Sequence, residues 1–258
     1  MDFVFANPVF QNYTMKNGLV SNYCYDVLQD KRGYIWVATL NGLCRFNGNK
    51  WQAFQQQSPN PHYKLPGNWV VDIDEDVTGN IRINTDRGIA TYKAQKDSVY
   101  AFHAPAKGWG KILCHGNHVF VSSWSGIDQY RLAGDIMVHE KHYAESKKNS
   151  FMCLYGGNDG RVWACPEDHP SLMEIDADTR EIRHQRTIML DGKPLEVVVN
   201  SINAYSADTL LLSTKKEGVL KYSPGSHTAI RCLSAVLKAG GEFSCSLIYK
   251  LQGRSFLL

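Results

Sequence analysis

The chain has 258 residues, of which 43% are hydrophobic and 21% are charged. This composition is typical of a globular protein with a sizeable core, and it excludes a disordered chain. The 28 basic and 25 acidic residues leave a net charge of +3, which is too even to indicate a surface for nucleic acid or for an anionic membrane. Seven widely spaced cysteines without a CxxC pair favour buried free thiols over a disulfide framework.

The chain shows no sign of a membrane span or of a targeting segment. Its apolar runs fall far short of the ~20 residues that a transmembrane helix needs. The first ten residues, MDFVFANPVF, lack the basic region and the long apolar region of a signal peptide. A mature domain whose leader has been replaced by an initiating methionine would begin in the same way, so both origins stay open.

One seventeen-residue pattern occurs twice, as DKRGYIWVATLNGLCRF from Asp30 to Phe46 and as DVTGNIRINTDRGIATY from Asp76 to Tyr92. The copies lie 46 residues apart without insertion or deletion. Alternating β-branched and aromatic residues predict strands, and the glycines between them predict turns. Each copy is therefore predicted to be a hairpin. The residues that match in pairs are Asp30 and Asp76, Gly33 and Gly79, Ile35 and Ile81, Thr39 and Thr85, Gly42 and Gly88, Phe46 and Tyr92.

The hairpin pattern recurs with less fidelity further along the chain. The copies are HVFVSSWSGIDQY, NDGRVWACPEDHPSLMEI, DTLLLSTKKEGVLKY and LIYKLQGRSFLL. In the second of these, Ser171 stands where the second glycine is expected. The turn glycines of the four copies are Gly126, Gly160, Gly218 and Gly253. Trp36 and Trp163 fall within the repeated strands, and we expect both to be core residues between repeats.

An apolar segment before each hairpin and another after it raise the count to four strands per repeat. Four strands with a period of about 40 to 46 residues predict an all-β fold, a β-propeller of four-stranded blades that cover each other's faces. We expect about five complete blades and a truncated sixth, which together are part of a larger propeller. The expected domain is a single one over 1–258, with blades at about 13–60, 65–104, 109–145, 150–190 and 196–235 and a partial blade at 240–258.

The two ends of the chain predict an open ring. The segment PVFQNYT, Pro8 to Thr14, has the pattern of an outer strand, and Leu258 falls inside the second strand of the sixth blade. Unpaired strand edges and an uncovered apolar face are liabilities for a soluble protein. We therefore expect either a fragment of a longer protein or an edge that is covered by a second copy in a homodimer.

The stretch from Asn17 to Phe54 resembles the two-component regulator propeller repeat. The residues that carry the resemblance are Gly18, Leu19, Ser21, Asn22, Asp30, Gly33, Trp36, Thr39, Gly42, Leu43 and Phe46. Ala38 departs from the pattern, in which glycine usually precedes the threonine. The resemblance implies the periplasmic sensor propeller of a bacterial hybrid two-component histidine kinase, which detects an oligosaccharide or a related small molecule. It assigns the kinase to the parent protein, so this chain is expected not to be an enzyme.

The motifs of catalysis and metal binding are missing from the sequence. It contains no GxSxG, no HExxH and no phosphate-binding GxxxxGK[ST] loop. The pair His139 and His142 has a spacing that does not align two imidazoles on a regular strand, so we expect surface histidines. No catalytic residue, metal site or cofactor is predicted.

Binding is the expected activity, because sugar recognition needs aromatic faces beside polar groups. The candidate ligand-binding residues are Trp69, Trp109, Trp124, Asn68 and Asp128. Packing between blades is the alternative role for the same tryptophans. Two further functions stay open: a scaffold that binds another protein, and a carbohydrate-active lyase or glycosidase, which would need two converging carboxylates.

Overall fold

A computed structural model describes residues 11–102, 110–134, 136–143, 151–157, 159–167, 169–214, 216–233, 248–251 and 254–257. Strands dominate this part of the chain. The helical segments found in it are three short 3-10 helices, Met15–Asn17, Pro61–Tyr63 and Ala94–Lys96. The prediction of an all-β chain is confirmed.

Four consecutive antiparallel strands make up each of the first four sheets, which are the blades. Blade 1 contains β1 Cys24–Gln29, β2 Ile35–Thr39, β3 Gly42–Phe46 and β4 Trp51–Phe54. Blade 2 contains β5 Val70–Glu75, β6 Ile81–Thr85, β7 Gly88–Lys93 and β8 Ser98–Phe102. Blade 3 contains β9 Ile112–His115, β10 His118–Ser123, β11 Gly126–Ala133 and β12 Ile136–Tyr143. Blade 4 contains β13 Phe151–Gly156, β14 Arg161–Pro166, β15 Ser171–Asp176 and β16 Glu181–Thr187.

Blade 5 is larger than the sequence pattern indicated. A small hairpin, β17 Met189–Leu190 and β18 Lys193–Pro194, precedes its four strands, β19 Val199–Ser206, β20 Thr209–Thr214, β21 Gly218–Ser223 and β22 Thr228–Leu233. β17 pairs in parallel with the outer strand β22, which makes a six-stranded sheet. A final antiparallel pair consists of β23 Ile248–Leu251 and β24 Arg254–Leu257.

The outer strand predicted near the start of the chain needs correction, and other predicted features lie outside the described residues. The outer strand expected from Pro8 to Thr14 does not form over residues 11–14. Thr14 instead caps the first 3-10 helix, because its hydroxyl accepts a hydrogen bond from the Lys16 amide at 3.2 Å. Residues 8–10 and the turn glycine Gly253 lie outside the described residues.

The cysteine prediction is correct only in part. Among the described cysteines, all of which are free thiols, Cys44, Cys153 and Cys165 are buried, Cys114 is half-buried, and Cys24 and Cys232 are exposed. Cys245 lies outside the described residues. Burial of the thiol therefore holds for three positions and is wrong for the two exposed ones.

Each blade has two ends, which the connections define. The turn end carries the hairpin turns that join the first strand to the second and the third to the fourth, as at 30–34 and 47–50 of blade 1. The loop end carries the turn between the second and third strands, as at 40–41, and the connection to the next blade. The first strand of each blade is called its inner strand. The inner strands β1 and β5 run in the same direction, because the amide of Lys31, just after β1, donates a hydrogen bond to the side chain of Glu75 at the end of β5, at 2.9 Å.

The apolar core lies between neighbouring blades, so that no blade has a complete core of its own. Trp36 is fully buried, and its ring centroid lies 4.8 Å from that of Tyr92 in the next blade. Trp163 is buried in the cluster shared by blades 4 and 5. Both tryptophans are therefore core residues, as predicted. The interface of blades 1 and 2 buries Ala38, Leu43, Phe54, Leu65, Val70, Ile73, Ile81 and Ile83 with Trp36.

A buried aspartate explains why the repeat keeps the sequence Asp-x-x-Gly. Asp30 accepts hydrogen bonds from the amides of Arg32 and Tyr34 at 3.0 and 2.9 Å, which closes the turn around Gly33. Its second oxygen accepts a bond from Trp36 Nε1 at 2.9 Å. One side chain therefore satisfies the turn and fixes a core residue six positions later, since buried polar groups need partners.

Aspartates of the inner strands bond blade 1 to blade 2 and blade 2 to blade 3. Asp26 accepts a hydrogen bond from the Ile73 amide at 3.1 Å, and Asp72, 46 residues later, accepts one from the Ile112 amide at 2.7 Å. Asp72 also pairs with Lys111 Nζ at 2.7 Å. Burial raises the pKa of Asp72 to about 7, against the opposing charge of Lys111. These carboxylates supply contacts between blades that apolar packing alone would not direct.

The repeat glycines share a backbone conformation, and Gly42 and Gly126 among them also allow strands to approach closely at the loop end. Gly33, Gly42, Gly79, Gly88, Gly126, Gly160 and Gly218 all have positive φ. At Gly126, φ is 132°, and a Cβ would lie 2.0 Å from the carbonyl oxygen of Tyr143. That distance is impossible without movement of β12, so only glycine fits this position.

We expect Gly126→Ala to lower the free energy of unfolding by about 2 to 4 kcal/mol, which combines backbone strain with displacement of β12. Gly134→Ala is the matched control, because Gly134 has φ 61° and a Cβ there would meet no other described atom within 4 Å. The free energy of unfolding of the control should fall by about 1 kcal/mol. Urea unfolding measures both, and equal losses would contradict the close-approach argument.

Candidate functional site

The predicted ligand-binding residues that the structure describes lie at the loop end of blades 2 and 3. Asn68 and Trp69 directly precede β5, Trp124 lies in the turn between β10 and β11, and Asp128 is the third residue of β11. Trp109 lies outside the described residues. The four described residues therefore occupy one end of the propeller, although they belong to two different blades.

Asn68 and Trp69 take part in contacts within the fold. The Trp69 ring centroid lies 5.6 Å from that of Tyr25 on β1. Asn68 Oδ1 accepts the amide of Gln56 at 2.7 Å, and Asn68 Nδ2 donates to Asn41 Oδ1 at 3.3 Å. These contacts join the loops of blades 1 and 2, which is the packing role that the sequence left open. A ligand contact at these two residues stays a prediction.

Trp124 and Asp128 belong to a more accessible surface. Trp124 is 61% exposed. Asp128 Oδ1 lies 2.9 Å from His139 Nε2 and 2.9 Å from His142 Nδ1 on the neighbouring strand. The expectation that HxxH spacing separates these imidazoles is wrong. The register places Tyr130 opposite His139 but Gln129 opposite Lys141, so a bulge at Glu140 returns both histidines to one face.

A cleft at the turn end, between blades 4 and 5, offers the second candidate surface. It has a wide part of about 670 Å³ and a narrow part of about 260 Å³. The two parts are adjacent, because Arg161, Pro224 and Gly225 line both. We call this feature the blade 4–5 cleft. Its size falls in the range of sites for small molecules.

The wide part combines aromatic rings with polar groups. Tyr155 and Trp163 form its apolar wall, and Ser206, Asp208 and Ser223 are among the polar residues on the other side. Burial raises the pKa of Tyr155, and the charge of Asp159 adds to that rise, so the phenol remains a neutral hydrogen-bonding group. A ring face beside hydroxyl and carboxylate groups is the arrangement that binds sugars.

The narrow part is rich in arginine. Arg161, Arg183 and Arg186 line it together with Glu174 and His227. Arg161 forms ion pairs with Asp159 at 3.0 Å and with Glu174 at 3.4 Å. Arg183 pairs with Asp176. Two of the three guanidinium groups are thus neutralised by carboxylates of blade 4.

The described residues hold neither a metal-binding cluster nor a membrane-spanning helix. No group of three or more His, Cys, Asp or Glu side chains in that part of the chain is arranged to hold a metal ion. None of its helices has the length and apolar character needed to cross a membrane.

The repeat is also recognised by comparison with a known protein family. The profile named two component regulator propeller matches residues 18–41, which run from the loop before β1 to the turn after β2. Within this stretch the chain is similar to one two-component regulator propeller repeat. The matched stretch holds Asp30, Gly33 and Trp36, the hydrogen-bonded turn described above. No curated protein sequence matches the chain.

Solved structures share the fold of this repeat protein at low sequence identity. The extracellular domain of a proposed hybrid two-component system from B. thetaiotaomicron has 19% identity and a TM-score of 0.57, covering 93% of this chain and 39% of that one. A second such domain from the same organism has 15% identity and a TM-score of 0.59, covering 95% and 40%. A streptogramin B lyase has 15% identity and a TM-score of 0.64, covering 82% and 69%.

These similarities establish the fold, a β-propeller, and confirm the prediction of four-stranded blades. The chain spans about two fifths of the length of the extracellular domains. Sequence reasoning did not find the blade 4–5 cleft. Its only local signals are the turns NDGR and SPGSH, residues 158–161 and 223–227, which belong to different blades.

Proposed function

We propose that this chain is the extracytoplasmic, periplasmic ligand-sensing propeller of a bacterial two-component sensor histidine kinase, and that its ligand is an oligosaccharide. The propeller repeat and the likeness to extracellular domains of such systems support a sensor role. The observation that carries the choice of ligand is the wide part of the blade 4–5 cleft, which aromatic residues line together with residues that carry hydroxyl and carboxylate groups.

The position of the cleft gives a route to signalling. Its walls come from two blades, Tyr155 and Arg161 from blade 4 and Asp208 and Gly225 from blade 5. A ligand that contacts both blades favours the arrangement that fits it best. Such a ligand shifts the receptor only to the extent that it binds one arrangement more tightly than another. The shift would pass to further domains of the parent protein.

Tyr155→Ala is expected to weaken oligosaccharide binding about tenfold or more, because a ring stacked on a sugar contributes on the order of 1 to 2 kcal/mol. Isothermal titration calorimetry with a panel of neutral and acidic oligosaccharides measures this change. Asp208→Asn should also weaken binding, through loss of a charged acceptor, with no core contact at risk because Asp208 is exposed.

Tyr100→Ala is the matched control, since Tyr100 is a 41% exposed tyrosine on β8, in another blade. The affinity of this variant for the oligosaccharides should equal that of the unaltered chain. Absence of binding across the whole panel would contradict the proposed function. If binding is unchanged in both Tyr155→Ala and Asp208→Asn, the ligand binds at another surface.

That other surface is the loop end around Trp124 and Asp128, which stays the second proposed location. Trp124→Ala, tested on the same panel, distinguishes the two ends, because Trp124 lies on blade 3 and away from the cleft. Chromatography of the incubated oligosaccharides adds a third readout. A cleaved product would indicate a carbohydrate-active enzyme instead of a sensor.

A further inference from the structure

Arg186 differs from the other arginines of the blade 4–5 cleft. Arg161 and Arg183 each pair with a carboxylate. No carboxylate of the described residues forms an ion pair with Arg186, whose Nη1 lies 3.4 Å from His227 Nδ1. A guanidinium that lines a cavity without a counter-charge is available to an anionic group of a ligand.

The fold holds the groups around Arg186 in place. His227 has φ 59°, in the left-handed region, and its amide donates to the Ser223 carbonyl at 2.9 Å. The His227 carbonyl accepts the Met189 amide at 3.0 Å. The β17–β22 pairing thus ties the segment just after Arg186 to the turn that carries His227. Because this turn belongs to blade 5 and Arg186 to blade 4, the pair spans the cleft.

Hydrogen bonding assigns the proton of the imidazole. The Tyr222 hydroxyl lies 3.3 Å from His227 Nδ1, on the same nitrogen that faces Arg186. A guanidinium can only donate, so Nδ1 is the acceptor and the ring proton is on Nε2. His227 therefore leaves the positive charge of Arg186 uncompensated.

The arginines of the narrow part differ in their pairing with carboxylates. Its lining holds three arginines and one carboxylate, Glu174. The Glu174 side chain is only 8% exposed and is already paired with Arg161. Asp159 also pairs with Arg161 and Asp176 pairs with Arg183, so Arg186 is the arginine of this lining that has no ion pair with a described carboxylate, beside a wide part suited to a sugar ring.

We propose that the ligand of the blade 4–5 cleft is an acidic oligosaccharide, whose carboxylate or sulfate group binds Arg186 in the narrow part while a sugar ring lies against Tyr155 in the wide part. This inference rests on the proposed function and adds the charge of the ligand to it. A planar guanidinium binds either oxyanion through two parallel hydrogen bonds. The two sources of the anion, uronic acid and sulfate ester, are separated by the test.

The test compares probes that differ only in charge. Tri-galacturonate and its methyl ester, and a carrageenan disaccharide whose only charged group is a sulfate ester and its desulfated form, are titrated calorimetrically into the folded chain at low salt. The acidic member of one pair should bind about tenfold or more tightly than its neutral partner. The pair that shows the difference identifies the oxyanion. The difference should shrink as ionic strength rises.

Arg186→Gln should abolish the preference for the acidic probe and leave the affinity for its neutral partner unchanged. Arg231→Gln is the matched control, because Arg231 is a partly exposed arginine on β22 that pairs with Glu217 and Asp191. It should keep the preference. A merely structural role of Arg186 would lower both affinities equally, and that result would overturn the proposal.

The remaining outcomes separate this inference from the proposed function. Equal affinity for acidic and neutral probes in both pairs would overturn the acidic ligand and leave oligosaccharide sensing intact. Absence of binding for all four saccharides would overturn both. In that case, sodium sulfate is titrated instead. Binding of sulfate that is lost in Arg186→Gln would identify a simple anion site in place of a sugar site.

Discussion

Asp76→Ala is expected to lower the free energy of unfolding by about 3 to 5 kcal/mol, because it leaves a buried guanidinium without its counter-ion. Asp76 is fully buried and Arg82 is 1% exposed. Asp76 Oδ2 accepts Arg82 Nε at 2.8 Å and Nη2 at 2.7 Å. Its other oxygen accepts the amides of Thr78 and Asn80 at 2.9 and 3.1 Å. The substitution therefore removes the ion pair and opens the turn of blade 2.

Two companion variants identify the cause of this loss. Asp76→Ala combined with Arg82→Met should recover part of the stability, since no charge then remains buried. Arg87→Ala removes an ion pair whose arginine side chain is 64% exposed, and it should change the free energy of unfolding by less than about 0.5 kcal/mol. Denaturant unfolding measures all three. A double variant less stable than Asp76→Ala would contradict the role assigned to the unpaired guanidinium.

The stability of the propeller is expected to fall as pH rises from 5 to 8. Burial raises the pKa of Asp74 from 3.8 to about 7, and the charges of Asp72 and Asp26 add to the effect of burial. The Asp74 carboxylate accepts hydrogen bonds from the Cys114 and Glu75 amides at 2.6 and 2.8 Å, which oppose the rise. A raised folded-state pKa gives stability that is fully present below 3.8 and is lost as pH rises through about 7.

Asp74→Asn should remove the contribution of this group, which is roughly 3 kcal/mol at most across that pH range. The free energy of unfolding, measured in urea at several pH values, should then fall less steeply than in the unaltered chain. Part of the slope should persist, because burial also raises the pKa of Asp72 to about 7. Asp208→Asn, at an exposed position, should leave the slope unchanged. A slope that Asp74→Asn does not reduce would refute the assignment.

The repeat could be predicted from sequence because its physics is local. Asp30, the Gly33 turn and Trp36 lie within seven residues, and their hydrogen bonds form inside one hairpin. The same pattern at Asp76 therefore indicates the same turn. The pattern does not show which side chain in the next strand bonds the aspartate. Position 36 holds a tryptophan and position 82 an arginine, so Asp30 bonds an indole and Asp76 bonds a guanidinium.

The candidate site could not be predicted because its residues meet only through the stacking of blades. Arg186 and His227 are 41 residues apart, and neither belongs to a repeated position. The bulge at Glu140 was likewise hidden, because a single extra residue in a strand leaves no trace in its alternation. Trp69 was predicted as a ligand-binding candidate from its polar neighbours, whereas its ring also packs on Tyr25.

The inner-strand aspartates have a consequence for how such a protein can grow. Asp26 contacts the blade that follows its own, and Asp72, at the equivalent position, does the same. Blade 2 thus accepts a contact from blade 1 through its amide and offers an acceptor to blade 3, a head-to-tail arrangement that does not limit the number of members. Tandem duplication of a single blade in the gene would bring both halves of its new contacts with it. Propellers of different circumference could then arise by recombination alone, without the simultaneous change of two facing surfaces.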